Sequence, residues 1–238
     1  MADPELTAVI PVYNDLPALQ TAIPVSIETL ERCADRFEIV VAEDGSTDGS
    51  AGFVRDYGSR DPRVRLIHSD ERLGRGRALN RAFRGSTAPI VCYYDVDLAT
   101  DMRHLCELID AVRKGAAIAT GSRLLPDSEI VRSGGREFAS RGYNLLVRTV
   151  LGSRLHDHQC GFKAFDRVRL LPIIDRVRSP HWFWDTEVLV RGQHAGYVVR
   201  EIPVRWTEGP GTTVRPKDVF EMGSAVFRLW WQLHVAKD

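Results

Sequence analysis

Short β-branched runs alternate with helix-patterned stretches through the first half of the chain, and this alternation restricts the fold more than any other feature. The runs fall at 6–12, 37–42, 64–68 and 89–94, and the helical stretches at about 16–33, 48–58, 75–84 and 101–113. Strand–helix–strand units need crossover connections, which place helices on the faces of a mainly parallel sheet. The second half is less regular, with strands expected at 116–120, 161–165 and 197–205 and helices at 135–151 and 184–195. The 238 residues, 44% hydrophobic, suffice for the core of one α/β domain, and no repeat or linker divides them.

Thirty-two basic and 32 acidic residues give a formal net charge of zero, so the chain lacks the basic footprint of a nucleic-acid binder. Cys33, Cys92, Cys106 and Cys160 form no CxxC pair and read as thiols suited to a reducing cytosol. The N-terminal stretch has acids where a secretory leader needs bases, and no run of about 18 apolar residues occurs. A soluble or peripheral protein is expected.

Chemistry-bearing residues gather where strands are expected to end: Pro11-Val12-Tyr13-Asn14-Asp15, Glu43-Asp44-Gly45-Ser46 and Asp95-Val96-Asp97. The carboxyl ends of parallel strands share one edge, where ligands bind. If the strand stays extended, Asp95 and Asp97 leave it on the same face, and a hard divalent cation relieves their repulsion. A strand-to-helix turn with Asp101 as a cap explains the same residues. Asp44-x-Ser46-x-Asp48-Gly49 matches the start of a calcium loop, but Arg55 stands where the twelfth-position Glu is required. Gly74-Arg75-Gly76-Arg77-Ala78 suits either phosphate binding at a helix start or a solvated basic turn. There is no Walker lysine motif, zinc-ligand spacing or nucleophile elbow.

In this order, these segments resemble family 2 glycosyltransferases of the GT-A fold, the Rossmann-like nucleotide-diphospho-sugar transferase fold. Gly121-Ser122-Arg123, Ser140-Arg141-Gly142-Tyr143-Asn144, Asp157-His158-Gln159-Cys160-Gly161-Phe162-Lys163, Trp184-Asp185-Thr186-Glu187 and Val204-Arg205-Trp206-Thr207-Glu208 further resemble polyprenyl- and dolichyl-phosphate sugar synthases, above all the dolichyl-phosphate β-glucosyltransferases. The resemblance implies a catalytic domain over 1–215, with a nucleotide half of about 1–115 and an acceptor half of 116–215, followed by a C-terminal amphipathic helix within 216–238. Pro11, Tyr13, Asp15, Glu43 and Asp44 would bind the nucleotide, with Arg75 and Arg215 near the diphosphate. Asp95 and Asp97 would hold Mg²⁺ or Mn²⁺, and Arg123, Arg136 and Ser140 the acceptor phosphate. Asp15 stands where many relatives have Glu, and Thr213 replaces an expected lysine.

The implied reaction is inverting transfer of a hexose, UDP-glucose being the favoured donor, to a polyprenyl or dolichyl phosphate. A phosphate monoester is already anionic at neutral pH and needs no strong base. A hydroxyl acceptor on a polysaccharide or small molecule does need one, and Asp185 and Glu187 are the candidates; the alternative reading is that they orient Arg or Lys groups or the hydroxyls of the donor sugar. GDP-mannose and UDP-N-acetylhexosamine are the competing donors. The stretch 220–233, with two tryptophans, fits an interfacial helix or one packed on the protein's own core. The expected setting is the cytosolic face of a membrane, with a separate membrane protein as a candidate partner.

Overall fold

The computed structural model describes residues 3–131, 134–208 and 216–236, excluding the side chains at 134–136, 138 and 216–220. The strands are β1 (Leu6–Val12), β2 (Phe37–Glu43), β3 (Val64–Ile67), β4 (Ile90–Tyr94), β5 (Ile118–Ser122), β6 (Glu129–Val131), β7 (Phe162–Asp166), β8 (Val199–Pro203) and β9 (Arg205–Thr207). Seven of them form one sheet in the order β3-β2-β1-β4-β7-β5-β8, and β6 pairs with β9 beside it. β1 is parallel to β2 and β4, β2 to β3, and β5 to β8. β7 alone is antiparallel to its neighbours β4 and β5.

That reversal matters for the site. Because Tyr94 at the end of β4 pairs with Phe162 at the start of β7, the loop ending at Gly161 arrives beside Asp95. Asp95 donates its backbone N–H to the Gly161 carbonyl at 3.1 Å. The mainly parallel, helix-flanked sheet expected from the sequence is thus the observed architecture.

The helices are α1 (Leu16–Leu30), α2 (Ser50–Arg60), α3 (Arg75–Gly85), α4 (Leu105–Arg113), α5 (Gly134–Leu151), α6 (Arg167–Ile174), α7 (Trp184–His194) and α8 (Pro216–Trp231). Every residue of β1 is buried, because the sheet is covered on both faces. Leu6, Ala8 and Ile10 pack with Leu19 and Ile23 of α1 and Leu105 and Leu108 of α4. Val9, pointing the other way, packs with Leu79 and Phe83 of α3, Leu170 of α6 and Val188 of α7. The two-residue period of the strand sorts side chains between these cores. A third cluster joins Val147 and Leu151 of α5, Val190 of α7, and Ala225, Val226 and Leu229 of α8. Burying Val226 and Leu229 contributes about 1.5–3 kcal/mol each and holds α8 on the domain.

Three local readings change. The stretch expected as one strand over 197–205 divides at Val204 between β8 and β9, where Pro203 has no N–H to extend the ladder. Helix α6 was not expected; Asp166 caps it by accepting from the Arg169 amide at 3.2 Å, and Pro172 lies inside it. Cys33 and Cys106 are joined in a disulfide with Cα atoms 5.0 Å apart, which corrects the reading of four free thiols. The pairing follows from α1 and α4 lying side by side on one face, which brings together residues 73 apart in sequence. Cys92 and Cys160 remain free and buried.

Closing so long a loop stabilises the native state mainly by restricting the unfolded chain, by about 2–4 kcal/mol. Cys33→Ser should therefore lower the free energy of chemical unfolding by that much, and its midpoint with it, under non-reducing conditions. Reductant should remove the difference, and thiol labelling of the denatured, unreduced protein should modify only Cys92 and Cys160.

Candidate active site

The carboxyl edge of the sheet is assembled by backbone–side-chain hydrogen bonds between loops distant in sequence. Asn14, at a positive φ of 50°, donates its backbone N–H to Ser46 Oγ at 3.0 Å and accepts from the Thr47 amide through Oδ1 at 2.8 Å. The Leu16 amide donates to Asp48 Oδ2 at 2.8 Å. Asp15 caps α1, accepting from the Ala18 amide at 3.3 Å. The loops after β1 and β2 are thereby fastened together.

Asp44 is buried and accepts from the amides of Leu73 (2.7 Å) and Gly74 (2.9 Å), which fixes the entry to α3. Glu43 accepts from the Ser46 amide and contacts His68 Nδ1. Both acids, read from sequence as nucleotide ligands, thus build the loops of this edge. Pro11 lies within buried β1. Tyr13 is exposed, with the Arg72 guanidinium 3.8 Å from its ring centroid, and offers an aromatic surface suited to a planar ring.

After β4 the chain turns, with the Leu98 amide donating to the Asp95 carbonyl at 3.1 Å and Leu98 at φ 50°. Asp97 Oδ1 accepts from the Ala99 amide at 3.1 Å. A turn, rather than the extended pleat assumed from spacing, therefore holds the two carboxylates. Burial, and then the neighbouring Asp95 and Asp15 charges, raise the Asp97 carboxyl above its usual range. A divalent cation relieves that repulsion. Among the described residues no three His, Cys, Asp or Glu side chains converge as a metal cage. Asp95 and Asp97 fit a hard ion that completes its shell with water and substrate oxygens.

Behind Asp95 lies a buried charge cluster. Arg75 donates to Asp95 Oδ1 through Nε (3.2 Å) and Nη2 (2.7 Å), and to Asp185 Oδ2 through Nη1 (2.7 Å). Asp185 Oδ1 accepts from the Tyr93 hydroxyl and lies 3.0 Å from Lys163 Nζ. Lys163 is fully buried and also donates to the Cys160 carbonyl. Burial works to raise the Asp185 carboxyl, but the Lys163 and Arg75 charges outweigh it and hold the group below its usual range. Arg75, expected at a phosphate-binding or solvated helix start, instead faces these two carboxylates.

Glu187, also buried, accepts from the Arg178 (3.2 Å) and Ser179 (3.0 Å) amides and from Arg191 Nε (2.9 Å). It fastens the loop before α7, whose Pro180 carbonyl accepts from the Gly76 amide at 2.8 Å. A Cβ at Gly76 would lie 2.6 Å from the Trp184 ring, so glycine permits this close contact. Phe83, Tyr93, Phe165 and Trp184 pack with centroids 5.7–6.5 Å apart and floor the cluster.

Arg123 donates to Asp157 through Nε (2.7 Å), Nη2 (3.0 Å) and its amide (3.0 Å), and lies 5.5 Å from the Trp206 ring centroid. Asp157 is buried; burial alone would raise its carboxyl, but Arg123 holds it well below the usual range. Ser140 Oγ is buried with no hydrogen-bond partner among the described residues. The Arg136 side chain and the whole of Arg215 lie outside the described residues. Tyr93, Asp157, Gly161 and Lys163 were not read as site residues from their local chemistry. A lysine inside the apolar run after Gly161 was the available signal for one of them.

The model of the family described as glycosyl transferase family 2 matches residues 7–170. Glycosyltransferase AglD of Haloferax volcanii is 48% identical over 235 residues, covering 97% of this chain and 38% of that protein. The chain therefore spans well under half the length of this relative. A dolichyl-phosphate beta-glucosyltransferase of Dictyostelium discoideum is 29% identical, over 89% of this chain and 69% of its own. Glucosyl-3-phosphoglycerate synthase of Mycobacterium tuberculosis, solved with Mn²⁺, UDP and glucosyl-3-phosphoglycerate, superposes with a TM-score of 0.67 at 17% identity. That match covers 97% of this chain and 80% of the solved one, and shows the same fold.

A Cβ at residue 161 would overlap the Asp95 carboxylate. Gly161→Ala should push that carboxylate from its place and weaken Mn²⁺ binding by about tenfold or more, the size of effect seen when groups supporting a metal ligand are disturbed. Metal titration by electron paramagnetic resonance checks this, and an unchanged affinity would contradict the assigned position of Asp95.

Proposed function

The chain belongs to glycosyl transferase family 2, and on that premise we propose that it transfers glucose from UDP-glucose to a polyprenyl or dolichyl phosphate with inversion. The observation that carries the acceptor class is the engagement of both candidate bases. Asp185 is held by Arg75, Lys163 and Tyr93, and Glu187 by two backbone amides and Arg191. Neither is placed as a free proton acceptor, so the favoured acceptor carries its own negative charge. A lipid phosphate does so at neutral pH.

Asp95 and Asp97 would hold Mg²⁺ or Mn²⁺, the latter present with UDP in the mycobacterial neighbour. When bound, the cation neutralises the diphosphate as it leaves. The chain's part is placement. Tyr13 offers a face to the base, and Asp15 and Asp44 shape the ribose side through the loops they fix. Arg123, with Arg136 and Ser140, supports the acceptor phosphate, and Ser140 Oγ, without a hydrogen-bond partner among the described residues, leaves a hydroxyl for it. These roles follow the nucleotide half and acceptor half proposed from the sequence. The likeness to the Dictyostelium enzyme favours glucose and a dolichyl-type acceptor.

Among the described residues no helix is long and apolar enough to cross a membrane. Helix α8 packs Ala225, Val226 and Leu229 on the protein's own core and leaves Phe227, Trp230 and Trp231 exposed, which supports an interfacial reading for its outer face. The outward aromatic face suits the boundary of a bilayer. We place the protein at a membrane surface, where a membrane protein can present or accept the lipid.

Nucleoside diphosphate release should be followed over a panel of sugar donors with a short polyprenyl phosphate and Mn²⁺ or Mg²⁺. Release should require the lipid phosphate and the cation, be fastest with UDP-glucose, and yield a glycolipid labile to mild acid. Turnover confined to hydroxyl acceptors, and abolished by Asp185→Asn, would overturn the assignment.

A further inference from the structure

The cluster behind Asp95 has an unequal division of contacts. Asp185 has one oxygen tied to the sheet, by Tyr93 and Lys163, and the other tied to Arg75. Tyr93 and Lys163 are a registered pair on β4 and β7, so this anchor is part of the sheet itself. Asp95 gives only Oδ1 to Arg75, and its side chain remains 40% exposed. Arg75 is thus shared between a fixed, buried carboxylate and an accessible one. A cation at Asp95 competes directly with the guanidinium.

We propose that Asp185 is a positioning residue for divalent-cation binding: anchored by Lys163 and Tyr93, it retains one arm of Arg75 and so limits the hold of that arginine on Asp95. The inference rests on the metal-dependent reading above and adds a role for four side chains that do not touch the metal, Asp185, Lys163, Tyr93 and Arg75. Its consequences differ in sign for the two partners. Removing the guanidinium removes a positive charge 2.7 Å from Asp95, which strengthens cation binding. Removing the Asp185 charge leaves Arg75 to Asp95 alone, which weakens it. Because Asp185 acts through Arg75, the second effect depends on Arg75 being present.

The test is Mn²⁺ titration of the full chain without nucleotide, read by electron paramagnetic resonance, for the wild type, Arg75→Gln, Asp185→Asn and the double variant. Arg75→Gln should bind Mn²⁺ about tenfold more tightly and Asp185→Asn about tenfold more weakly. Adding Asp185→Asn to Arg75→Gln should change affinity by less than about threefold. A purely structural role predicts weakening in both single variants and additive losses, and that result overturns the proposal. Arg75→Gln leaves Asp185 paired with Lys163 and Tyr93, so unchanged or weaker binding in this variant overturns it even if Asp185→Asn fails to fold. Wild-type protein that binds no Mn²⁺, with or without UDP, removes the metal-dependent reading and the proposal together. Wild-type binding with indifferent variants removes the proposal alone.

Discussion

A fully buried lysine facing a buried aspartate fixes how β4, β7 and the helices behind them meet. Lys163 on β7, Tyr93 on β4, Asp185 on α7 and Arg75 on α3 come from four separate elements, and their charges are satisfied only when all four are in register. Burying charge costs more than its pairing returns unless the geometry is good and the remaining lone pairs are filled, and loss of one partner typically costs about 3–5 kcal/mol. Such a cluster strongly penalises a slipped β4–β7 pair. The reward in function is a rigid rear wall to Asp95, with Gly161 on its other side.

Much of the fold was legible because strands and helices announce themselves through local periodicity. The strands at 6–12, 37–42 and 89–94 were found because both faces of the sheet are covered and their apolar runs are nearly unbroken. The direction of β7 was not legible, since five residues of strand sequence carry no sign of orientation. Nor was the Cys33–Cys106 bond, which depends on the packing of α1 against α4. Helix α6 was obscured by Pro172, which reads as a helix breaker.

The site shows the same division. Asp95-Val96-Asp97 was legible as a pair of carboxylates at a strand end, because two acids close in sequence remain close in space. The partners of those acids were not legible, since Arg75 and Asp185 are 110 residues apart. Local reading left Arg75 between phosphate binding and a solvated helix start, and Asp185 and Glu187 between a base and a group that orients Arg or Lys; the structure pairs Asp185 with Arg75 and Lys163 and Glu187 with Arg191. Asp44 illustrates the point: the acid at a strand end was legible, but not that each of its oxygens accepts from an amide at the entry to α3.

Asp185 and Glu187 are both engaged by cationic side chains or backbone amides, and this engagement is what the proposed acceptor class rests on. An acceptor that brings its own charge leaves a signature in the dependence of turnover on pH. With a lipid phosphate as acceptor, kcat/KM should rise through an ionisation near pH 6, that of the acceptor's second proton. Substituting the corresponding phosphonate, which holds that proton more tightly, should move the rise to higher pH. A profile that stays in place when the acceptor is changed, and that disappears in Asp185→Asn or Glu187→Gln, would assign the ionisation to an enzyme base and contradict the account.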